Sequence, residues 1–275
     1  MSTYVPRARA VEALDDVWDR LDALLGDLDD AEWTKPTSLP GWRVRDVVAH
    51  VIGTESMLLG DSAPDIEVAG ADHVRNDVGR FNEQWVVSMA DRPPTEVLAR
   101  FRDRVARRRE ALRSMDEATW DAEGFTPIGA ETYGRFMRIR TFDTWLHEQD
   151  VRDAVGRPGG EGGPAAELAL EEMVAALGFI VGKKAGAPPG SRVALELTGP
   201  AGRSIYVEVP EGEGARATVV DELSAPATVT LCLPVSVFAH LAGGRVDPAT
   251  VGQQVEIAGD TELGTRIVAN LAYTI

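Results

Sequence analysis

Cysteine is almost missing from this chain: among 275 residues there is one, Cys232. A single thiol excludes an intrachain disulfide and fits a reducing compartment. Its setting, Thr228-Val-Thr-Leu-Cys-Leu233, alternates as a half-buried strand does, so Cys232 reads as a small buried apolar residue and not as a nucleophile. Positive charge is short as well. Lys and Arg number 28 against 44 Asp and Glu, a net charge of −16, which opposes binding to nucleic acid or to anionic membranes because both require a basic footprint. No basic stretch followed by an apolar core opens the chain, and no run approaches the ~20 apolar residues of a membrane span. Neither secretion nor membrane insertion is indicated, and a cytoplasmic location is expected. The apolar share of 44% beside 26% charged residues is that of a soluble globular protein, long enough for two ordinary domains.

Histidine is scarce too, with four in all: His50, His73, His147 and His240. Two of them sit on helix-like stretches among apolar residues, in segments about ninety residues apart: Leu39-Pro-Gly-Trp-Arg-Val-Arg-Asp-Val-Val-Ala-His50 and Asp143-Thr-Trp-Leu-His147-Glu-Gln-Asp150. On a helix, residues four apart share a face, so Asp143 and His147 project side by side. His50, on a stretch whose apolar stripe is Val44, Val47, Val48 and Val51, is the best third donor. Three N/O ligands would leave an open position on a Zn2+-like ion, which is catalytic and not structural coordination. A carboxylate and a histidine at this spacing also form plain surface pairs, so the pattern is a candidate and no more. Arg140 and Asp150 extend the same face at i−3 and i+7 from Asp143, along a helix otherwise carrying Phe136, Ile139, Phe142 and Leu146. They are candidates for groups that hold the metal ligands in place or orient the substrate, or equally for a salt bridge along the helix. Asp46 reads as a cap or surface residue, and Trp42 and Trp145 as core. The one dense cationic run, Arg104 to Arg109, reads as a solvated helix face that would receive an anionic substrate if it lay near the metal.

Apolar residues at intervals of three and four predict helices over 7–28, 44–59, 74–89, 95–112 and 131–155, so the first 150 residues are expected to be essentially all helical and to pack as an antiparallel bundle. A polar segment over 61–70, containing Pro64, interrupts them. The Gly/Pro cluster over 156–164 reads as a linker. Beyond it a helix over 165–183 leads into alternating strands over 193–198, 204–209 and 227–233, with a turn at Gly199 to Gly202 and short helices over 235–241 and 262–271. The expected fold class is therefore α+β in two domains, 1–157 and 164–275.

The stretch from Trp33 to His50, with its Ser38-Leu-Pro-Gly-Trp-Arg-Val-Arg-Asp46 core, resembles the N-terminal domain of the mycothiol-dependent maleylpyruvate isomerase family, a branch of the DinB-like four-helix metalloproteins. Arg140 to Arg152 looks like the final bundle helix of that family. The C-terminal module, with Gly252 and the Gly259-Asp260 step, is similar to a sterol-carrier-like domain. The resemblance spans nearly the whole chain. It implies that His50, Asp143 and His147 fall on the family's divalent-metal ligands, usually zinc, and that mycothiol, a bacterial low-molecular-weight thiol, is the co-substrate. Where the family has Glu, this chain has Asp143, one methylene shorter; both types coordinate Zn2+. The expected function is a metal-dependent, thiol-using S-transferase or isomerase acting on a small electrophile, with a small-molecule thiol as partner. Fold resemblance does not transmit chemistry, so a non-catalytic metal- or apolar-ligand-binding protein and a metal-dependent hydrolase remain alternatives.

Overall fold

The computed structural model describes residues 4–68, 73–212, 214 and 216–274. The chain divides into two compact units after Gly160. Helices build the first. In α1 (Arg7–Gly26) the predicted stripe is buried at Leu14, Val17, Leu21 and Leu24, each such side chain contributing about 1.5–3 kcal/mol relative to exposure. The helices α2 (Val44–Leu58), α3 (Asp77–Met89), α4 (Pro94–Ser114), the short α5 (Glu117–Trp120) and α6 (Tyr133–Val155) follow. Four of them make the bundle, α1 and α2 each packing on α4 and α6, and α3 packs on the outside of α2. The α2–α3 contact is close enough that a Cβ on Gly53 would stand 2.4 Å from the Trp85 ring.

Helix starts fall where side chains satisfy the first free N–H groups. Asn76 accepts from the Gly79 amide at 2.8 Å, which delays α3 to Asp77. Thr132 accepts from the Arg135 amide at 3.1 Å, which starts α6 at Tyr133 and not at 131. Gly156 ends α6 in the left-handed conformation, φ 70°. Residues 61–68 form neither helix nor strand; Ala69 and Gly70, the end of the predicted polar segment, lie outside the described residues. The expectation of an all-helical first half is corrected at one place. Strands β1 (Glu123–Thr126) and β2 (Gly129–Thr132) form an antiparallel hairpin ahead of α6. Four-residue strands with an exposed Phe125 carry too little alternation to be read.

In the second unit the single helix predicted over 165–183 is broken into α7 (Gly163–Ala175), the turn α8 (Leu177–Phe179) and a wide turn over Ile180–Lys184, closed by the Ala185 amide on the Ile180 carbonyl at 2.8 Å. Gly178 and Gly182 explain the break: both face Ala217 so closely that a Cβ would come within 2.6 and 2.8 Å of it. The sheet runs in the order β5-β4-β3-β6-β7, from β3 (Arg192–Thr198), β4 (Arg203–Glu208), β5 (Thr218–Val220), β6 (Val229–Pro234) and β7 (Glu256–Gly259). Among the described strands only β3 and β6 pair in parallel, Leu195 opposite Leu231. Helices α9 (Val235–Ala242) and α10 (Thr261–Ala269) pack on β6, and Asp260 caps α10 through the Leu263 amide at 3.0 Å. The edge strands β5 and β7 escaped the sequence because three or four residues show no period. The result is a helical domain followed by an α+β domain, and no described helix is long and apolar enough to cross a membrane.

Candidate metal centre

The loop before α2 and the middle of α6 converge inside the bundle. That loop is held by backbone bonds from the Thr37 amide to the Trp42 carbonyl (3.0 Å) and from the Trp42 amide to the Leu39 carbonyl (3.1 Å). Asp46 completes the entry to α2 by accepting the Arg43 amide at 2.8 Å, the capping role read from the sequence. One turn later His50 is 6% exposed, and it meets Asp143 and His147 of α6. One donor atom from each of the three lies within 4.8 Å of the others. His50 Nε2 stands 3.3 Å from Asp143 Oδ2, and His147 Nε2 stands 3.5 Å from Asp143 Oδ1. Donors ~2.1 Å from a tetrahedral ion are separated by ~3.4 Å, so this spacing and this N/O set suit a divalent cation such as zinc. Asp143 keeps 31% of its side-chain surface exposed, so the centre opens to solvent at the carboxylate.

Both further candidates lie beside the donors. Asp150, 1% exposed, accepts from His147 Nδ1 at 2.9 Å and from Ser38 Oγ at 3.1 Å. That bond places the Nδ1 proton and leaves Nε2 facing Asp143. Arg140, 3% exposed, bonds Asp143 Oδ2 through Nη1 and Glu55 Oε1 through Nη2 at 2.9 Å. The salt bridge along the helix is therefore present, and it ends on a donor. Glu55 also accepts from Arg108 Nε at 2.9 Å, and Arg108 Nη2 donates to the Tyr133 hydroxyl at 2.9 Å. A buried chain of charges thus crosses from α4 through α2 to α6.

Two expectations need correcting here. The run from Arg104 to Arg109 is a solvated face only in part: Arg108 is 1% exposed and bound to Glu55, Arg104 pairs with Asp61 at 3.3 Å, Arg109 pairs with Asp15 and Asp19 at 2.8 and 2.6 Å, and Arg107 is exposed. Arg109 thus meets the acidic face of α1, Arg108 meets α2, and Arg104 meets the segment that follows α2. Trp42 is not a core residue: it is half-buried, its ring centroid 5.4 Å from that of His50 and 6.3 Å from that of His147. Trp145 is core, fully buried, with Nε1 donating to the Gly160 carbonyl at 2.8 Å. Glu55 and Arg108 were missed, although each left a signal, a charge occupying a slot in an apolar helical stripe.

The two imidazoles titrate in opposite senses. Burial lowers His50, because the attraction of Asp143 does not make up for lost hydration. Burial also opposes charge on His147, but Asp143 and Asp150 together outweigh it and hold His147 above the ordinary histidine value. Asp143 is itself pushed up by burial, yet His147, Arg140 and His50 hold it well below the usual carboxylate range. Without a metal, the first proton taken up by the pair belongs on His147. A cation in the centre has to displace that proton.

Residues 14–152 match the family model of the mycothiol maleylpyruvate isomerase N-terminal domain, and residues 183–271 match that of the SCP-2 sterol transfer family. The uncharacterized proteins Rv0036c and MT0041 of Mycobacterium tuberculosis are each 30% identical over 190 residues, which covers 67% of this chain and 70% of theirs. The crystal structure of a mycothiol-dependent maleylpyruvate isomerase superposes with a TM-score of 0.59 at 18% identity, covering 92% of this chain and 93% of that one, a likeness of fold. The chain belongs to the mycothiol maleylpyruvate isomerase family and carries an SCP-2-like C-terminal domain.

Proposed function

We propose that this protein is a metal-dependent, thiol-using enzyme, a mycothiol-type isomerase or S-transferase acting on a small electrophile. The observation that carries the reading is the convergence of His50, Asp143 and His147 from two helices, with donor atoms within 4.8 Å of one another. A divalent cation held by these three supplies Lewis acidity and lowers the pKa of a thiol that reaches it, so that a thiolate is available near neutral pH. The chain's own residues do the rest. Asp150 fixes the tautomer of His147 by accepting its Nδ1 proton, and Ser38 fixes Asp150. Arg140 holds one oxygen of Asp143 and leaves the other facing His147.

Charge supports a divalent cation: around the donors stand four carboxylates, Asp143, Asp150, Glu55 and, through Trp42, Glu83, against two guanidiniums, Arg140 and Arg108, an excess of two negative charges. The helical unit contains no cysteine, so the sulfur comes from a small molecule. Mycothiol and maleylpyruvate, named for the solved relative, are the first compounds to try.

The expected result is about one divalent ion per chain, with calorimetry showing mycothiol binding to the metal-loaded protein and not to the metal-free one. His147→Ala should release the ion while keeping its helicity, because the apolar stripes do not depend on it. Metal-loaded protein that binds no thiol would end this reading.

A further inference from the structure

His73 and Trp42 stand outside the donor set, yet the structure ties them to it. Trp42 follows Gly41, whose φ is +81°, and a Cβ at Gly41 would come within 2.9 Å of His73 Nδ1. The glycine lets the His73 ring pack directly on the turn that presents Trp42. Trp42 Nε1 donates to Glu83 Oε2 at 3.1 Å, and His73 Nε2 lies 3.0 Å from the same oxygen. Glu83 sits on α3, 8% exposed, so a buried carboxylate is given over to an indole N–H and an imidazole. An indole has two side-chain torsions, and a fixed N–H leaves it little freedom to turn.

Packing alone does not account for this arrangement. Trp18 and Trp85 are 0% and 4% exposed with no hydrogen-bond partner on Nε1, so burial suffices to hold an indole in this bundle. Trp42 is the reverse case: it is half-buried, tied at its N–H, and tilted 38° to each of the two imidazoles at 5.4 and 6.3 Å. A partly exposed apolar ring held rigid beside a set of donor atoms is a preorganised wall.

We propose that Trp42 is a specificity-determining wall of the metal centre, limiting the width of the ligand that reaches it, and that Glu83 and His73 are the positioning residues that hold the indole through one shared carboxylate oxygen. This rests on the metal reading above and narrows it: the centre admits thiols and anions that are slender next to the donor atom, an extended primary thiol such as mycothiol among them, and rejects those that are wide there.

The test uses the full-length protein loaded with cobalt, whose absorption reports each ligand that reaches the ion. Two pairs that differ in width beside the donor atom are titrated: 2-mercaptoethanol against tert-butyl thiol, and azide against benzoate. In Trp42→Ala the affinity ratio should move toward the bulky member of a pair by about tenfold. Glu83→Leu, which removes the acceptor, should shift the ratio in the same direction, and Glu83→Gln, which keeps an oxygen for the indole, should restore it. Cobalt affinity, measured separately by chelator competition, distinguishes a changed wall from a lost centre. If Trp42→Ala leaves both ratios at the wild-type value, the wall is refuted. If thiols give no cobalt absorption in the wild type while the azide–benzoate ratio still moves in Trp42→Ala, the wall stands and the thiol chemistry falls. A wild type that takes up no cobalt overturns both.

Discussion

His50 and His147 are chemically identical, lie with ring centroids 4.8 Å apart, and are shifted in opposite directions. Asp150 accepts from Nδ1 of His147 and favours its charged form, whereas His147 and Arg140 push His50 further down, and Nδ1 of His50 is buried with no hydrogen-bond partner. Because the folded-state pKa of His147 is raised, its contribution to the stability of the metal-free protein is fully present below the unfolded value of about 6.5 and is lost as pH rises through the raised value. Asp143 behaves oppositely: its pKa is depressed, so its contribution holds above the ordinary carboxylate value and is lost as pH falls through the depressed one. Metal loading should therefore release about one proton per ion below the raised His147 pKa and none above it. Calorimetric metal titrations in buffers of different ionisation enthalpy measure that number directly. In Asp150→Asn the release window should move to lower pH and metal affinity should fall by about 10- to 100-fold. An unchanged window would mean that Asp150 does not hold the proton on His147.

At the scale of elements, the centre depends on a charge relay that joins three helices. Glu55 of α2 is 1% exposed and bridges Arg108 of α4 and Arg140 of α6, both nearly as buried. Removing it strands two guanidiniums in the bundle, so Glu55→Ala should destabilise the protein by about 3–5 kcal/mol, read from urea unfolding, whereas loss of an exposed pair such as Arg92–Glu96 should cost less than about 1 kcal/mol. Equal effects of the two changes would show that the relay is not an integral part of the bundle. The same relay marks the limit of what the sequence discloses. The stripe Arg140, Asp143, His147 and Asp150 was legible because all four lie on one helix, where spacing dictates which residues share a face. Pairing between helices carries no such period: Phe101, Val105, Arg108 and Leu112 read as one apolar stripe with a charge in it, and nothing in α4 names Glu55 as the partner. Trp42 was misjudged for a similar reason. A tryptophan before a helix is core or wall according to what stands opposite, and here that is decided by α3 and the segment bearing His73. The long helices and the central strands were visible, whereas β1, β2, β5 and β7 are too short for alternation to register.

Across the whole molecule, the switch from a 3.6-residue to a two-residue hydrophobic period announced two domains, and the Gly/Pro cluster over 156–164 announced where they join. Composition placed the end of the first at residue 157, but the bonds of the following residues belong to the helical unit. Arg157 pairs with Glu32 at 2.8 Å and donates to the Asp27 carbonyl at 3.3 Å. The Gly160 carbonyl accepts the Trp145 Nε1 proton at 2.8 Å, and Gly160 lies so close to α6 that a Cβ would meet Glu148 Oε1 at 2.6 Å. Four residues that look like linker are thus tied at one end to the segment after α1 and at the other to Trp145 and Glu148 of α6, beside the proposed metal donors. A fragment ending after Gly160 should keep these bonds, while one ending after Gly156 leaves the N–H of a fully buried Trp145 unpaired, a loss of about 1–3 kcal/mol. Urea unfolding of the two fragments, followed by circular dichroism, measures the difference. Coincident midpoints would return the boundary to residue 157 and reduce these four residues to a passive linker; a lower midpoint for the shorter fragment makes residues 157–160 part of the domain that holds the centre.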